Sequence, residues 1–376
     1  MIQFQDLISR LGDYMHISRV NPGARYISLE GEIHKPYEES IKVMRELIKE
    51  AGYTPFFEKT KDETSIHMLR IGLFSLRNVK QRFWLNWMLL GITVITTTIA
   101  GAIWAGADIF TNPLLIYMGL PFACALLFIL GSHELGHYFA CRYYKMQATP
   151  PFFIPFLPFF AAWIPAAGWV FAPSFGTMGA IIRMGITPNR RALVRVGAAG
   201  PIIGFLVAIP ITILGLALSQ YKIPELSGGI TFEDPIVFKF LVWIVDMVKK
   251  ATPGPGEVLH IHPIALAGWL GFLVTSLNLL PLSQLDGGHI AYGVFGKRRF
   301  YLTIAAYALM GAAIVWTFIV LKQPSMWILW AVITVFLGFR HPPSEDEITP
   351  LSRGDIIISI AALVVFVLTA MVAPIR

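Results

Sequence analysis

Two histidines four residues apart, with a glutamate directly after the first, form the clearest chemical pattern in this sequence. They read His133-Glu134-Leu135-Gly136-His137 and end a long apolar stretch that predicts a helix. Side chains four positions apart share one face of a helix, so both imidazoles can bind one metal ion while the carboxylate stands beside it as a general base. A glutamate inside an apolar span favours this interpretation over two histidines that merely bond neighbouring helices, because such groups are costly in lipid.

A catalytic zinc ion usually takes three protein ligands and a water molecule, so two histidines leave one ligand to be found. The segment 278–289, which reads NLLPLSQLDGGH, offers Asp286. Pro281 ends an apolar span next to the basic cluster 297–299, which predicts that the aspartate lies at the same membrane face as His137. An Asp-Gly-Gly sequence alone is typical of a solvated turn. Paired with the histidine motif, it predicts the third metal ligand, and its glycines let the backbone approach closely.

The motifs together resemble the site-2 protease family of intramembrane zinc metalloproteases. The resemblance covers roughly residues 113–296 and includes GAAGP at 197–201, which is similar to the family's glycine-proline motif. It is strongest for the two zinc motifs and weaker for the plant-chloroplast and bacterial branch without a PDZ domain. It implies that Glu134 is the catalytic glutamate and that Asn278 stabilises the oxyanion. It also implies one zinc ion per chain, held by His133, His137 and Asp286.

One position departs from the pattern of that family. Many bacterial members carry an asparagine shortly after the glycine-proline pair, where Gly204 stands in this chain.

The composition predicts a membrane protein. Of the 376 residues, 55% are hydrophobic and only 14% are charged, whereas a soluble protein needs about a quarter of its residues charged. The formal net charge of +7 comes from short basic clusters beside apolar runs, which is typical of membrane topology and not of nucleic-acid binding. The two cysteines, Cys124 and Cys141, lie in one apolar stretch and predict no disulfide framework.

The predicted fold is an all-α polytopic membrane protein with about six to seven transmembrane helices, a re-entrant β-hairpin and a small N-terminal α/β domain of order β-α-β-β. Residues 1–83 are expected to form the small cytoplasmic domain and residues 84–376 the transmembrane metalloprotease domain, with its core at 113–296. The expected spans lie near 85–105, 114–142, 192–218, 264–283, 300–321, 325–340 and 354–374.

The segment 150–182 carries six prolines and cannot be a helix. It predicts the re-entrant hairpin, with a loop on the bilayer surface as the alternative. A strand edge there is expected to pair with an unwound substrate. The acidic run Ser344-Glu345-Asp346-Glu347 is expected to be solvated. The polar face of the helix Tyr37–Ala51 is expected to be solvated as well, with a partner-binding face as the alternative.

The predicted function is hydrolysis of peptide bonds in or near transmembrane segments, as in regulated intramembrane proteolysis. The expected partners are a transmembrane protein substrate and the lipid bilayer, with no nucleic acid and no prediction of oligomeric state. The expected location is a prokaryotic cytoplasmic membrane, with the N-terminal domain in the cytoplasm.

The alternative is a non-proteolytic membrane metal-binding protein or transporter. A transporter would favour internal repeats, which the sequence lacks. A pseudo-protease would have lost Glu134 or a ligand, and a diiron oxidase would need clustered histidine boxes.

Overall fold

The computed structural model describes residues 4–23, 26–59, 67–72, 83–156, 175–223, 232–282, 284–322, 325–336 and 341–374. Most of this part of the chain is helical, with three small antiparallel sheets. Four helical stretches are long and apolar enough to cross a membrane: Phe83–Trp104, Pro113–Tyr143, Arg190–Leu218 and Asp286–Val320.

Within the described residues, three of the seven expected spans form shorter helices. They are Pro263–Asn278, Trp327–Phe336 and Arg353–Thr369. The expected span 300–321 lies inside the long stretch that begins at Asp286. A membrane core of about 30 Å needs about twenty helical residues, so the total of six to seven crossings stays a prediction.

The described residues of the N-terminal region, which lie between 4 and 72, form a four-stranded sheet with two helices. Its elements are α1 (Phe4–Leu11), β1 (Met15–Pro22), β2 (Tyr26–Ile33), α2 (Tyr37–Glu50), β3 (Thr54–Lys59) and β4 (His67–Gly72), with strand order β1-β2-β4-β3. Ile41, Met44 and Ile48 recur on one face of α2 and are buried in the core of this region with Leu29 and Leu69.

The sequence predicts β2, α2, β3 and β4 in this region but misses α1 and β1. In β1 only Met15 is buried, and a bulge interrupts its register between Ile17 and Arg19. This edge strand therefore lacks the regular alternation of apolar and polar residues by which a strand is recognised in sequence.

Nine helices follow in the described part of the chain. They are α3 (Phe83–Trp104), α4 (Leu120–Tyr143), α5 (Arg190–Leu218), α6 (Ile236–Lys249), α7 (Pro263–Asn278), α8 (Asp286–Phe295), α9 (Arg299–Val320), α10 (Trp327–Phe336) and α11 (Arg353–Thr369). Helices α4, α5 and α7 pack together at the centre. Helix α7 is almost wholly buried, with Trp269 and Phe272 fully inside the core. Its 16 residues are thus surrounded by protein.

The non-helical segment forms a small antiparallel sheet of two strands, β5 (Phe152–Pro155) and β6 (Thr177–Ile181). Helix α3 holds both strands: the Asn86 amide donates to the carbonyls of Pro150 and Pro151, and the Thr96 hydroxyl donates to the carbonyl of Gly176. The residues between the strands, 157–174, lie outside the described residues. Re-entry of this hairpin into the membrane stays a prediction.

One expectation is wrong. The acidic run lies in residues 341–350, which we call the strap, and it is buried: Ser344, Glu345 and Asp346 are each at most 2% exposed. The polar face of α2 is also engaged, because Nζ of Lys49 lies 2.8 Å from the Glu345 carboxylate. A run of acidic residues usually indicates a solvated loop. Here the cations that neutralise it stand about 300 positions earlier in the chain, 296 in the case of Lys49, so no local pattern could reveal them.

Two further strands, β7 (Gln220–Lys222) and β8 (Val258–His260), pair at the ends of α5 and α7. His262, next to this sheet, caps α7 by accepting a hydrogen bond from the backbone of Ile264. His262 therefore has a local structural role.

Candidate metal centre

The two motif histidines and Asp286 meet in the structure, although 149 residues separate the aspartate from the nearer histidine. Each Nε2 atom lies 3.2 Å from Oδ2 of Asp286, and the two Nε2 atoms lie 3.1 Å apart. Four ligands around zinc at bond lengths of about 2.0–2.1 Å would stand about 3.3 Å from one another. The donor set and its spacing therefore fit a zinc ion.

His137 is held in the tautomer that metal binding requires. Its Nδ1 lies 2.7 Å from the carbonyl oxygen of Val196 on α5. A carbonyl only accepts, so Nδ1 carries the proton and Nε2 presents its lone pair to the site. Metal-binding histidines are commonly oriented by such a bond on their other nitrogen.

Helix α5 presents glycines to both histidines. A Cβ atom at position 200 would clash with the imidazole of His137, and one at position 204 would lie 3.1 Å from Nδ1 of His133. Gly204, the position that departs from the resemblance, therefore stands against a ligand. In the sequence, this segment is recognisable only as a family motif. The missed signal was spacing, because Gly197, Gly200 and Gly204 share one face of a helix.

Asp286 is the first residue of α8, and the glycine after it allows a tight approach. A Cβ at Gly287 would clash with the carbonyl oxygen of Leu279, so the loop after α7 closes directly over this position. The expectation that a glycine serves close backbone approach is confirmed here. His289, one turn further along α8, is 9% exposed and so does not face water.

Glu134 and Asn278 complete the predicted set. Glu134 lies on α4, directly after His133 in the sequence, and it is 6% exposed. Asn278 ends α7, and its Nδ2 lies 3.4 Å from Nε2 of His133. The histidine side chains are 4–5% exposed and that of Asp286 is 13% exposed, so access to the site is greatest beside the aspartate.

The sequence profile of peptidase family M50 matches residues 121–320, which include all five predicted site residues. The chain belongs to peptidase family M50. The predicted membership of the site-2 protease family is thereby confirmed.

Among curated proteins, the chain is similar to rice and Arabidopsis proteins named "Probable zinc metalloprotease EGY2, chloroplastic". The rice protein (Oryza sativa subsp. indica) is 29% identical over 272 residues, which are 70% of this chain and 45% of the relative. The Arabidopsis thaliana protein is 30% identical over 264 residues, 68% of this chain and 42% of the relative. A rice protein named "Probable zinc metalloprotease EGY3, chloroplastic" is 24% identical and covers 94% of this chain.

The chain spans less than half the length of the two EGY2 relatives and 60% of the EGY3 relative. No solved structure matches it significantly. The plant-chloroplast branch of the resemblance is supported by these names. They conflict with a prokaryotic cytoplasmic membrane, since all three relatives are called chloroplastic.

Proposed function

We propose that this chain is an intramembrane zinc metalloprotease that hydrolyses peptide bonds in or near transmembrane segments of other proteins. One observation carries the proposal: three ligand atoms within 4.8 Å of one another lie beside a buried glutamate, on helical stretches long and apolar enough to cross a membrane. Buried ionisable groups inside such helices are costly and mark function.

Each site residue has a distinct part in this proposal. His133, His137 and Asp286 hold the metal, and bound zinc supplies Lewis acidity toward a peptide carbonyl and toward water. Glu134 takes a proton from the attacking water and later gives one to the leaving amine. The Asn278 side chain donates a hydrogen bond to the carbonyl oxygen as negative charge develops there. With His133 committed to the metal, the Asn278 N–H near its Nε2 is free to turn to the substrate.

The hairpin β5–β6 is our candidate for the surface that receives the substrate. A transmembrane helix must unwind before it can be cut, and a strand edge can satisfy its released backbone groups. Phe153 of β5 lies close to Gly131 of α4, two positions before the first ligand. Substrate paired with this sheet would thus lie beside α4, the helix that carries two of the three proposed ligands.

A proline in β6 tests the role of the hairpin. Met178 is 54% exposed, so Met178→Pro alters the strand with little loss of packing, and Met178→Ala controls for the side chain. We expect the proline variant to keep its zinc and to lose at least about tenfold in kcat/KM toward a transmembrane substrate. Equal kcat/KM in the two variants would contradict this role.

We also propose the topology that the basic clusters indicate. The clusters at 190–195 and 297–299, together with the N-terminal region, lie on one side of the membrane, and the chain crosses it six to seven times. The metal centre then opens toward that side. This orientation applies in whichever membrane holds the protein, and residues 1–83 are a soluble unit on that face.

The activity is tested by comparing new N-termini in a solubilised membrane proteome incubated with the wild-type protein or with Glu134→Gln. We expect N-termini within predicted transmembrane segments from the wild type alone. Identical sets of N-termini from both proteins would overturn the proposal. They would favour the alternative, a membrane protein that binds metal without cutting.

A further inference from the structure

The strap is built into the N-terminal sheet. The backbone N–H of Phe57 in β3 donates to the carbonyl of Glu345 at 2.7 Å, and the N–H of Glu347 donates to the carbonyl of Phe57 at 3.0 Å. Phe57 and Asp346 form a parallel bridge, and Ile348 is 4% exposed in the same core as Phe57. The strap is therefore bonded to the edge strand β3 of the N-terminal sheet through one parallel bridge.

Charge fixes the strap to α2 and to the chain before α5. The Glu345 carboxylate lies 3.3 Å from Nε of Arg45 and 2.8 Å from Nζ of Lys49. Arg45 also donates to the carbonyl of Pro188, and the backbone N–H of Glu345 donates to the carbonyl of Thr187. Both bonds reach the segment that leads into α5, the helix whose glycines contact the motif histidines.

The other side of the strap contacts α8, the helix that begins with Asp286. The Tyr292 hydroxyl donates to the Glu347 carboxylate, and the His341 ring stacks on the Tyr292 ring with centroids 4.5 Å apart. Nε2 of His341 lies 2.6 Å from Nδ1 of His289. Burial lowers the pKa of His341 to about 3, so the ring is neutral. Its Nδ1 donates to the Pro342 carbonyl, which leaves Nε2 to accept from His289.

Helix α8 depends on such contacts for its position. It has only 10 residues, which is too short to be stable alone, and a glycine with positive φ, Gly296, separates it from α9. His289 and Tyr292 follow Asp286 at intervals of three residues, so these three side chains move together if the helix turns.

We propose that the strap positions Asp286 for metal binding through Tyr292 and His289, and that zinc affinity therefore depends on how the N-terminal region holds the strap. This inference rests on the proposed metal centre. It gives the N-terminal region a defined role, because any partner that displaced the strap from β3 or α2 would loosen the third ligand.

The contact with α8 is tested at Glu347. Glu347→Ala removes the acceptor for the Tyr292 hydroxyl, whereas Glu347→Gln keeps an oxygen at that place. Losing a group that orients a metal ligand typically weakens binding about 10- to 100-fold. We expect Glu347→Ala and Tyr292→Phe each to raise the dissociation constant for zinc about tenfold in a chelator competition, and Glu347→Gln to stay within about threefold of wild type.

The contact with the N-terminal region is tested on α2. The double variant Arg45→Gln/Lys49→Gln removes both cations from the buried Glu345, and Lys42→Gln/Glu50→Gln changes two exposed charges on the same helix as the control. We expect the first pair to weaken zinc binding by at least about threefold and the control pair to leave it unchanged. Hydrogen exchange reports whether the contacts between α2 and the strap are broken in the first pair. Unchanged zinc affinity in protein with those contacts broken would overturn the proposal.

Hydrogen exchange also tests the coupling without any substitution. Coupling between two sites is reciprocal. If the docked strap raises zinc affinity by some factor, bound zinc must favour the docked strap by the same factor. We expect the backbone amides of Glu345 and Glu347 to exchange about tenfold more slowly in zinc-loaded than in chelated protein. Equal exchange rates would overturn the inference. If the proposed metal centre itself were wrong, the wild-type protein would bind no zinc in the chelator competition. That result is distinct from failure of the coupling, in which the wild-type protein binds zinc.

Discussion

Two buried clusters of ionisable side chains differ in how their charge is neutralised. In the strap cluster, Glu345 has two cationic partners from α2, each within 3.3 Å. In the metal-centre cluster, the three atoms that could bind a metal, Nε2 of His133, Nε2 of His137 and Oδ2 of Asp286, lie 3.1–3.2 Å from one another. Among the described residues, no lysine or arginine forms an ion pair with Asp286.

This difference distinguishes a structural joint, by which we mean the strap cluster that links α2 to the strap, from a candidate binding site. Burying an unpaired charge is strongly unfavourable, so a cluster that contains its own counterions is complete. The second cluster has no lysine or arginine partner among the described residues, and its ligand types and distances fit a zinc ion. By this rule the first cluster stabilises the packing of the strap, and the second is the one we propose to bind a metal ion.

The largest effect is expected from Glu134→Gln, which separates metal binding from catalysis within the second cluster. Glu134 is not among the three residues whose ligand atoms converge, so zinc content should stay as in wild type. Proteolysis should fall by about 10²- to 10⁴-fold, because general acid–base catalysis contributes that much. Turnover of one transmembrane substrate beside zinc analysis checks both parts. Loss of zinc in this variant would contradict the assigned role.

Gly200→Ala should perturb the metal centre without removing a ligand. The added Cβ clashes with the His137 imidazole, while the matched change Gly204→Ala meets His133 at 3.1 Å and needs only a small adjustment. Displaced ligand geometry should weaken zinc binding about 10- to 100-fold in Gly200→Ala, and less in Gly204→Ala. Competition with a chelator measures both. Equal affinities would show that α5 does not set the position of His137.

Arg45→Ala tests whether the strap cluster is a joint. The change leaves the buried Glu345 with Lys49 as its remaining cation, and it should lower the free energy of unfolding by about 1–3 kcal/mol. Lys42→Ala, an exposed position on the same helix, is the control. Thermal unfolding in detergent provides the measurement. A melting temperature equal to that of the control would show that the ion pair between Arg45 and Glu345 does not stabilise the fold.

The smallest effect is expected where an ion pair is exposed. Lys297 lies 3.4 Å from Glu58, but its side chain is 78% exposed. Lys297→Ala should change the free energy of unfolding by less than about 1 kcal/mol, because solvent screens such pairs. A larger loss in the same thermal assay would show that the contact between the N-terminal region and the chain just before α9 contributes more to stability than an exposed ion pair should.

Sequence patterns predicted the metal centre better than the joint, for a physical reason. The ligands on α4 follow helical spacing, and the loop at Asp286 carries glycines that a tight approach requires, so local chemistry indicated both halves. Glu345 and Asp346 carry no such signal, because their burial depends on Arg45 and Lys49, which are distant in sequence. The α2 and β2–β4 elements were predicted by periodicity, whereas the irregular edge strand β1 was missed.

The proposed ligand set is tested most directly by the zinc content of the purified wild-type protein beside His137→Ala and Asp286→Ala. We predict about one zinc ion per wild-type chain and little in either variant, because two separate helices supply one site. The account would be contradicted if the wild-type protein contained no zinc, or if the Asp286→Ala variant kept its zinc. Asp286 would then only begin helix α8, and the chain would need another explanation for its buried histidines.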